Sequence, residues 1–230
     1  MKSNNKIKLL VVSCIVFSCL YADAQPADPG YWINYNLRLN FSKKMGTNID
    51  LQFRNYEFLE NLEQKLARAF IFYNISEQQV QLSAGACWSH TEQYKEGSKL
   101  KKTAEERRLH QQMLLHSTIG FASLTHRYRL EERFFADHSN LRFRYQLNLQ
   151  IPLNKKNFDK GTLYLILMNE IFLNDVSPVF DRNRALISAG YVLLPTLRIE
   201  TGMLWQMYER SKKRQVLFTI HQTINFHNKE

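Results

Sequence analysis

The sequence predicts an all-β fold, an antiparallel transmembrane up-and-down β-barrel of about 10–12 strands with a polar, arginine-rich lumen. Three observations lead to this prediction. Alternating apolar and polar residues recur along most of the chain, an export signal stands at its start, and no later apolar run reaches the about 20 residues that a spanning helix needs. Because successive side chains of a strand point to opposite faces, this alternation predicts one lipid-facing side and one lumen-facing side in each strand.

Residues 1–24 are predicted to be a signal peptide. Lysines precede an apolar run over residues 9–20, and Ala22-Asp23-Ala24 supplies the small residues that a signal peptidase requires. We expect cleavage between Ala24 and Gln25, followed by one outer-membrane β-barrel domain over residues 25–230. Lipidation of Cys19 is an alternative, since residues 16–19 loosely resemble a lipoprotein processing box.

The chain is basic, with a formal net charge of +10 that falls to +8 when three lysines and one aspartate leave with residues 1–24. The same cleavage leaves Cys87 as the one remaining cysteine, so no internal disulfide can form. A basic exported barrel is expected to contact outer-membrane lipid and its anionic headgroups rather than nucleic acid. No protein partner is indicated, and we expect a monomer.

Seven segments alternate clearly, and in chain order they are residues 32–41, 47–55, 80–88, 124–134, 141–151, 197–207 and 216–226. In residues 141–151, the most regular of them, every odd position is apolar and every even position is Arg, Gln or Asn. Residues 32–41 and 47–55 are separated by a short Ser-Lys-Lys-Met-Gly stretch, which is typical of a hairpin. Each segment is therefore predicted to be one strand with one apolar and one polar face.

Four weaker segments, in which the two faces are less cleanly separated, bring the number of candidate strands to eleven. They are residues 66–75, 107–116, 163–173 and 184–193. Bacterial single-chain barrels close with an even number of strands, so we expect that one strand has been missed or divided. Residues 58–68 also fit a short amphipathic helix, because Leu59, Leu62 and Leu66 fall at helical spacing.

The connections are predicted to alternate in length, with short turns on one rim and longer, outward-facing loops on the other. Those near Lys43, Glu77, Gly120, Asn157 and Pro195 are mostly short, whereas the longer ones span residues 93–105, 174–183 and 209–214. This arrangement places one basic group on the outer rim: Lys95, Lys99, Lys101, Lys102, Arg210, Lys212, Lys213 and Arg214. Aromatic residues near strand ends are expected in interfacial girdles, namely Trp32, Trp88, Phe134, Phe135, Tyr191, Trp205 and Tyr208.

Four stretches together resemble a known family. They are residues 126–134, residues 141–145 running on to Pro152, Glu170 with Phe172, and residues 181–184 leading to Gly190-Tyr191. As a set, and with the strand that contains Trp32, they resemble domain of unknown function 2490, an uncharacterised Gram-negative family, over residues 31–226. The resemblance implies an exported outer-membrane β-barrel and carries no activity.

With the apolar faces toward lipid, the charged residues of the polar faces point into the barrel. The predicted lumen charge network comprises Arg38, Arg54, Arg127, Arg129, Glu131, Arg133, Arg142, Arg144, Glu170, Arg184, Arg198 and Glu200. Buried charges must be paired or hydrated, so we interpret this set as an arginine–carboxylate network that fills and stiffens a narrow barrel. Because arginine exceeds carboxylate and rings of arginine select anions, an anion-preferring passage is the other interpretation.

The sequence therefore predicts a structural or narrow, porin-like function without cofactor, metal or recognisable catalytic residues. The seven histidines stand in no known motif, and neither Gly-x-Ser-x-Gly nor His-x-x-x-His occurs. Two alternatives stay open. One is a lipid-modifying outer-membrane barrel enzyme, a hydrolase or acyltransferase, whose catalytic groups come from distant strands. The other is a soluble periplasmic β-barrel that binds an apolar ligand, which requires the apolar faces to point inward.

Overall fold

The computed structural model describes residues 29–76, 79–95 and 97–226, so the predicted signal peptide and its cleavage site lie outside the described residues. The strands within these ranges are β1 Gly30–Asn40, β2 Met45–Glu57, β3 Glu60–Ser76, β4 Val80–Tyr94, β5 Lys101–Ile119, β6 Ala122–Phe134, β7 Ser139–Pro152, β8 Leu163–Asn174, β9 Phe180–Leu194, β10 Leu197–Met207 and β11 Lys212–Asn225. No helix among these residues is long and apolar enough to cross a bilayer.

The described strands form one closed barrel in which each strand pairs antiparallel with its neighbours in sequence, which confirms the predicted all-β, up-and-down barrel. The exception is the closing pair, β1 and β11, which run parallel from Gly30 opposite Gln215 to Asn40 opposite Asn225. The expectation of an even strand count was wrong, because the eleven candidates in the sequence are the eleven strands of the described residues. When eleven strands alternate in direction, the first and the last point the same way, and closure between them has to be parallel.

The helical alternative for residues 58–68 was also wrong. Phe58 and Leu59 form a two-residue turn, with Leu59 in the left-handed region at a φ of 60°, and β3 then continues for 17 residues. Along β3 the side chains of Leu66, Arg68 and Phe70 are buried inside the barrel, while the residues between them face outward. Pairing with β2 on one side and β4 on the other satisfies the hydrogen-bonding groups of the β3 backbone. This pairing favours the strand over the helix that the leucine spacing indicated.

We call rim A the end of the barrel that holds the β1–β2, β3–β4, β5–β6, β7–β8 and β9–β10 connections, and rim B the opposite end. The predicted basic group, Lys95 to Arg214, lies at rim B as a whole. The predicted alternation in loop length was wrong at one point, because the β7–β8 connection at rim A spans residues 153–162. It is long because it folds over the interior, where the Phe158 ring packs edge-on against Tyr164 with centroids 5.2 Å apart.

The interior contains an apolar part and a charged part. The apolar part lies on β1 and β8–β11 and consists of Trp32, Tyr164, Ile166, Leu186, Val192, Leu204 and Leu217. Tyr164 is fully buried there because Gly190 faces it: a Cβ on Gly190 would lie 2.2 Å from the Tyr164 Cζ. Trp32, predicted for an outer girdle, points inward instead, since it shares the inward parity of Asn34 and Asn36 on β1.

Candidate functional site

The charged part of the interior is built first by the register of β6 and β7. Glu131 lies directly opposite Arg142, and two positions along the strands Arg129 lies opposite Arg144. All four side chains point inward and are at most 4% exposed. The strict alternation of the two strands is what places these charges on one wall, because every second residue of a strand shares a face.

Glu131 is the centre of this wall. Its carboxylate accepts hydrogen bonds from Arg142 Nη2 at 2.6 Å and from Arg144 Nη1 at 2.5 Å, and Arg129 Nη1 lies 3.5 Å from Oε1. Hydrogen bonds between ionised groups are short and about twice as strong as neutral ones. One carboxylate therefore neutralises part of the charge of three guanidinium groups, and this corner of the interior keeps an excess of positive charge.

Glu170 on β8 continues the network. It accepts from Arg144 Nη2 at 2.6 Å and from Arg127 Nη2 at 2.7 Å, and Arg184 Nη1 on β9 lies 3.9 Å from its Oε2. Arg144 thus bridges the Glu131 and Glu170 carboxylates, and the chain of contacts links β6, β7, β8 and β9. The structure brings seven of the predicted residues into this connected set: Arg127, Arg129, Glu131, Arg142, Arg144, Glu170 and Arg184.

Several members of the interior network were missed from the sequence. Arg133, which was predicted, pairs with Glu106 at 2.5 Å, and Glu106 also pairs with Arg108 at 2.6 Å. The run Glu105-Glu106-Arg107-Arg108 conceals this, because charges occupy both faces and no alternation of polarity is visible. The parity of the buried residues around it, Glu106, Arg108, His110 and Gln112, was the signal that could have revealed the inward face.

Three further interior ion pairs were also missed from the sequence. Arg68 Nη1 lies 3.4 Å from Asp50, and the Asp181 carboxylate lies 2.9 Å from Arg142 Nη1 and 3.2 Å from Arg182 Nη2. Asp50 was already assigned to a polar face, but its partner stands in a strand whose alternation is weak. The Asp50–Arg68 and Arg142–Asp181 pairs depend on which strands the barrel brings together, and their spacing in sequence carries no signal.

The remaining predicted residues point inward but lie outside the connected set. Glu200 accepts from the Tyr164 hydroxyl at 2.9 Å and lies 3.1 Å from His221 Nε2. Arg198 lies with its Cζ 5.5 Å from the Phe158 ring. Arg38 donates to Asn40 at 2.9 Å and to Gln81 at 3.2 Å, with its Cζ 3.9 Å above the Phe72 ring. Arg54 donates to Gln52 at 2.9 Å and stacks 3.7 Å above the Trp32 ring.

Two cavities enter the barrel from opposite ends. The rim-B cavity, of about 540 Å³, reaches inward from Phe135 and Tyr208, and the rim-A cavity, of about 430 Å³, reaches inward from Pro195 and Thr196. Six residues line both cavities, and we call this group the waist: Asn36, Asp50, Arg68, Arg127, Glu200 and His221. The two linings therefore share six polar or charged residues, among them the long side chains of Arg68, Arg127 and Glu200.

Residues 29–216 match the model of a family described as protein of unknown function (DUF2490). The chain belongs to this family. The match confirms the resemblance carried by the arginine-rich strands and by Asp181-Arg182-Asn183-Arg184, whose side chains form much of the interior network. Neither the curated proteins nor the solved structures contain a match to this DUF2490 protein.

The orientation of the strand faces bears on the soluble alternative. That alternative needs apolar faces inside, whereas Phe53, Ile71 and Leu109 are exposed on the outside and the charged faces point in. The premise of an apolar ligand-binding lumen was therefore wrong. The enzyme alternative needs a nucleophile beside a histidine. In the described part of the chain the polar side-chain contacts of histidine are with carboxylates, hydroxyl groups and one amide, in the pairs His90–Glu92, His90–Glu105, His116–Thr125, His126–Tyr145, His138–Asp137, His221–Glu200 and His221–Asn36. No serine or cysteine among these residues is hydrogen-bonded to an imidazole.

Proposed function

We propose that this DUF2490 protein is an outer-membrane β-barrel with a narrow, anion-preferring passage held rigid by its arginine–carboxylate network. The observation that carries the proposal is the pair of cavities that enter from opposite rims and share the waist. A purely structural interior has no need of polar cavities whose linings join. The charged side chains that fill the interior of this barrel leave no room for a wide pore.

The outer surface supports a membrane location. Large apolar side chains are exposed on strands all around the barrel, for example Ile71, Leu109, Phe143, Ile199 and Ile220. A soluble monomer rarely exposes a continuous apolar belt of this extent, because each such side chain gains free energy by leaving water. The strands have 11 to 19 residues, and a tilted strand crosses the bilayer core with about 9–11 residues.

The charge of the inner wall supports the anion preference. Its arginines are Arg38, Arg54, Arg68, Arg108, Arg127, Arg129, Arg133, Arg142, Arg144, Arg182, Arg184 and Arg198. Its carboxylates are Asp50, Glu63, Glu106, Glu131, Glu170, Asp181 and Glu200. The wall is therefore net positive, and a low-dielectric channel lined by one sign of charge attracts ions of the opposite sign. The long side chains at the waist keep the expected conductance small.

Planar-bilayer recordings under a salt gradient test this proposal. The parent protein should give a small current whose reversal potential indicates a preference for anions. Arg127→Gln removes one cation from the waist and should lower that preference, while Glu170 keeps its bond to Arg144. Arg107→Gln is the matched control, because Arg107 is exposed on the outside of β5 and should leave the current unchanged.

Three results would overturn the proposal. A cation preference in the parent protein would contradict the assignment of the inner wall, and folded protein that carries no current would show that the waist is closed. Folding in each sample is checked by the heat-dependent shift of the band on an unboiled gel. Purified protein that stays folded and soluble without detergent would contradict the membrane location itself.

A further inference from the structure

Arginines surround two aromatic rings in the wall of the rim-B cavity. The Arg54 and Arg184 guanidinium carbons lie 3.7 and 5.1 Å from the Trp32 ring centroid. Around the Phe172 ring the corresponding distances are 5.4 Å for Arg142, 4.3 Å for Arg144, 5.6 Å for Arg182 and 4.6 Å for Arg184. Cation–π contacts of this length stabilise guanidinium groups where water is scarce.

The arginines around the Phe172 ring outnumber the carboxylates that pair with them. Arg142, Arg144, Arg182 and Arg184 share the three carboxylates of Glu131, Glu170 and Asp181, and Glu170 is also bound by Arg127. Arg184 completes its contacts with a neutral group, donating from Nε to Gln206 at 2.8 Å.

Arg54 is the clearest case of a missing acceptor. It is 8% exposed, its Nη2 donates to the neutral Gln52 amide, and no carboxylate of the described residues lies within ion-pair distance. Its Nε is buried without a hydrogen-bond partner among those residues, and the side chain lines the cavity. A buried charge and a buried donor that lack a partner are both costly, so a fold that retains them has a use for them.

We propose that the rim-B cavity binds a multiply charged oxyanion of the phosphate class beside Arg54, Arg184 and Trp32. Guanidinium groups present paired N–H donors whose spacing matches phosphate oxygens, and an excess of arginine favours a ligand with more than one negative charge. The cavity volume of about 540 Å³ falls within the usual range for small-molecule sites, so a phosphorylated solute of sugar size fits. The bound oxyanion supplies the acceptor that Arg54 lacks. This site exists whether or not the waist lets ions through, so the inference does not depend on conduction.

Tryptophan fluorescence of the whole protein in detergent tests the site, with pyrophosphate as the probe. Trp88 and Trp205 lie on the outer faces of their strands, so the double variant Trp88→Phe, Trp205→Phe leaves Trp32 as the reporter. Pyrophosphate should change the signal in a saturable way. Acetate, which carries one charge, should bind with an affinity at least about tenfold lower than that of pyrophosphate, and glucose should not change the signal.

Two variants address Arg54 directly, and calorimetry measures their binding independently of fluorescence. Arg54→Gln removes the unpaired cation. Gln52→Glu keeps the side-chain shape and places a carboxylate where Arg54 already donates; it also removes the Gln52 Nε2 donor to Asp50 at 2.9 Å, so its folding is checked on the unboiled gel. Each should weaken pyrophosphate binding by about tenfold or more. Arg38→Gln is the matched control, because Arg38 also stacks on a ring and donates to neutral amides but lies outside the rim-B cavity.

The inference is overturned if folded parent protein shows no saturable pyrophosphate binding, or if acetate binds as tightly as pyrophosphate. Unchanged binding in folded Gln52→Glu would equally refute the placement of the site beside Arg54, even where Arg54→Gln does not fold. Binding without a bilayer current leaves this inference standing and refutes only the passage. A bilayer current without pyrophosphate binding refutes this inference and leaves the proposed passage standing.

Discussion

Glu131 and Arg142 are opposite each other in the register of β6 and β7, and their side chains form a 2.6 Å hydrogen-bonded ion pair inside the barrel. Glu131 is fully buried, and Arg129 and Arg144 converge on the same carboxylate. Arg142 and Arg144 each have a second carboxylate partner, in Asp181 and Glu170, but Glu131 is the one carboxylate that all three guanidinium groups share. Removal of that carboxylate leaves them facing each other in a medium that screens charge poorly.

Glu131→Gln should lower the free energy of unfolding by about 3–5 kcal/mol, because it leaves buried cations without their counter-charge. The measurement is the temperature at which the folded band is lost on an unboiled gel. Glu132→Gln is the control: Glu132 faces outward, where it accepts from Gln111 at 3.3 Å, and its loss should have little effect. If Glu131→Gln and Glu132→Gln lose the folded band at the same temperature, the carboxylate of Glu131 contributes nothing to stability.

Leu147→Arg should prevent stable insertion, because an arginine at mid-bilayer depth on the lipid face of such a barrel costs about 2–4 kcal/mol. The neighbouring change Gln146→Arg should be tolerated, since Gln146 lines the rim-B cavity. Folding yield into lipid vesicles, read on the same kind of gel, compares the two. If both variants fold equally well, the outer face does not contact lipid.

Gly190→Ala should destabilise the apolar part of the interior by about 1–3 kcal/mol, the usual cost of overpacking. Its new Cβ would collide with the Tyr164 ring, which would also pull the Tyr164 hydroxyl away from Glu200. Ala189→Ser serves as the control, since Ala189 is exposed on the opposite face of β9. Thermal unfolding followed by circular dichroism should separate the two variants, and matching midpoints would argue against tight packing at Gly190.

The mature protein should begin at Gln25, because Ala22-Asp23-Ala24 follows the apolar run at the position where signal peptidase cuts. Mass spectrometry of the exported protein measures this directly. A mass that corresponds to a lipidated chain starting at Cys19 would select the lipoprotein alternative instead. Cys19→Ala would then abolish the lipid, whereas it should leave the mature mass unchanged under our prediction.

The sequence alone determined the kind of structure and, in the clearly alternating segments, which residues share a face. Period-two alternation reports directly on strands, because side-chain direction along a strand is a local property of the backbone. The alternation in residues 141–151 therefore assigned Arg142, Arg144 and Gln146 to one face before any partner was known. The same parity predicts an inward direction for Glu131, and its side chain is fully buried.

The tertiary structure decided which residues meet. Pairs such as Asp50–Arg68 and Arg127–Glu170 depend on the register of separate strands, and nothing in their sequence spacing records it. The parallel closure of β1 against β11 is likewise a property of the complete ring of strands. Trp32 could be assigned to a face but not to an environment, because its contacts with Arg54 and Arg184 come from β2 and β9. Alternation is set by each residue and its neighbours in the chain, whereas the cavities and the charge network arise only when all the strands close.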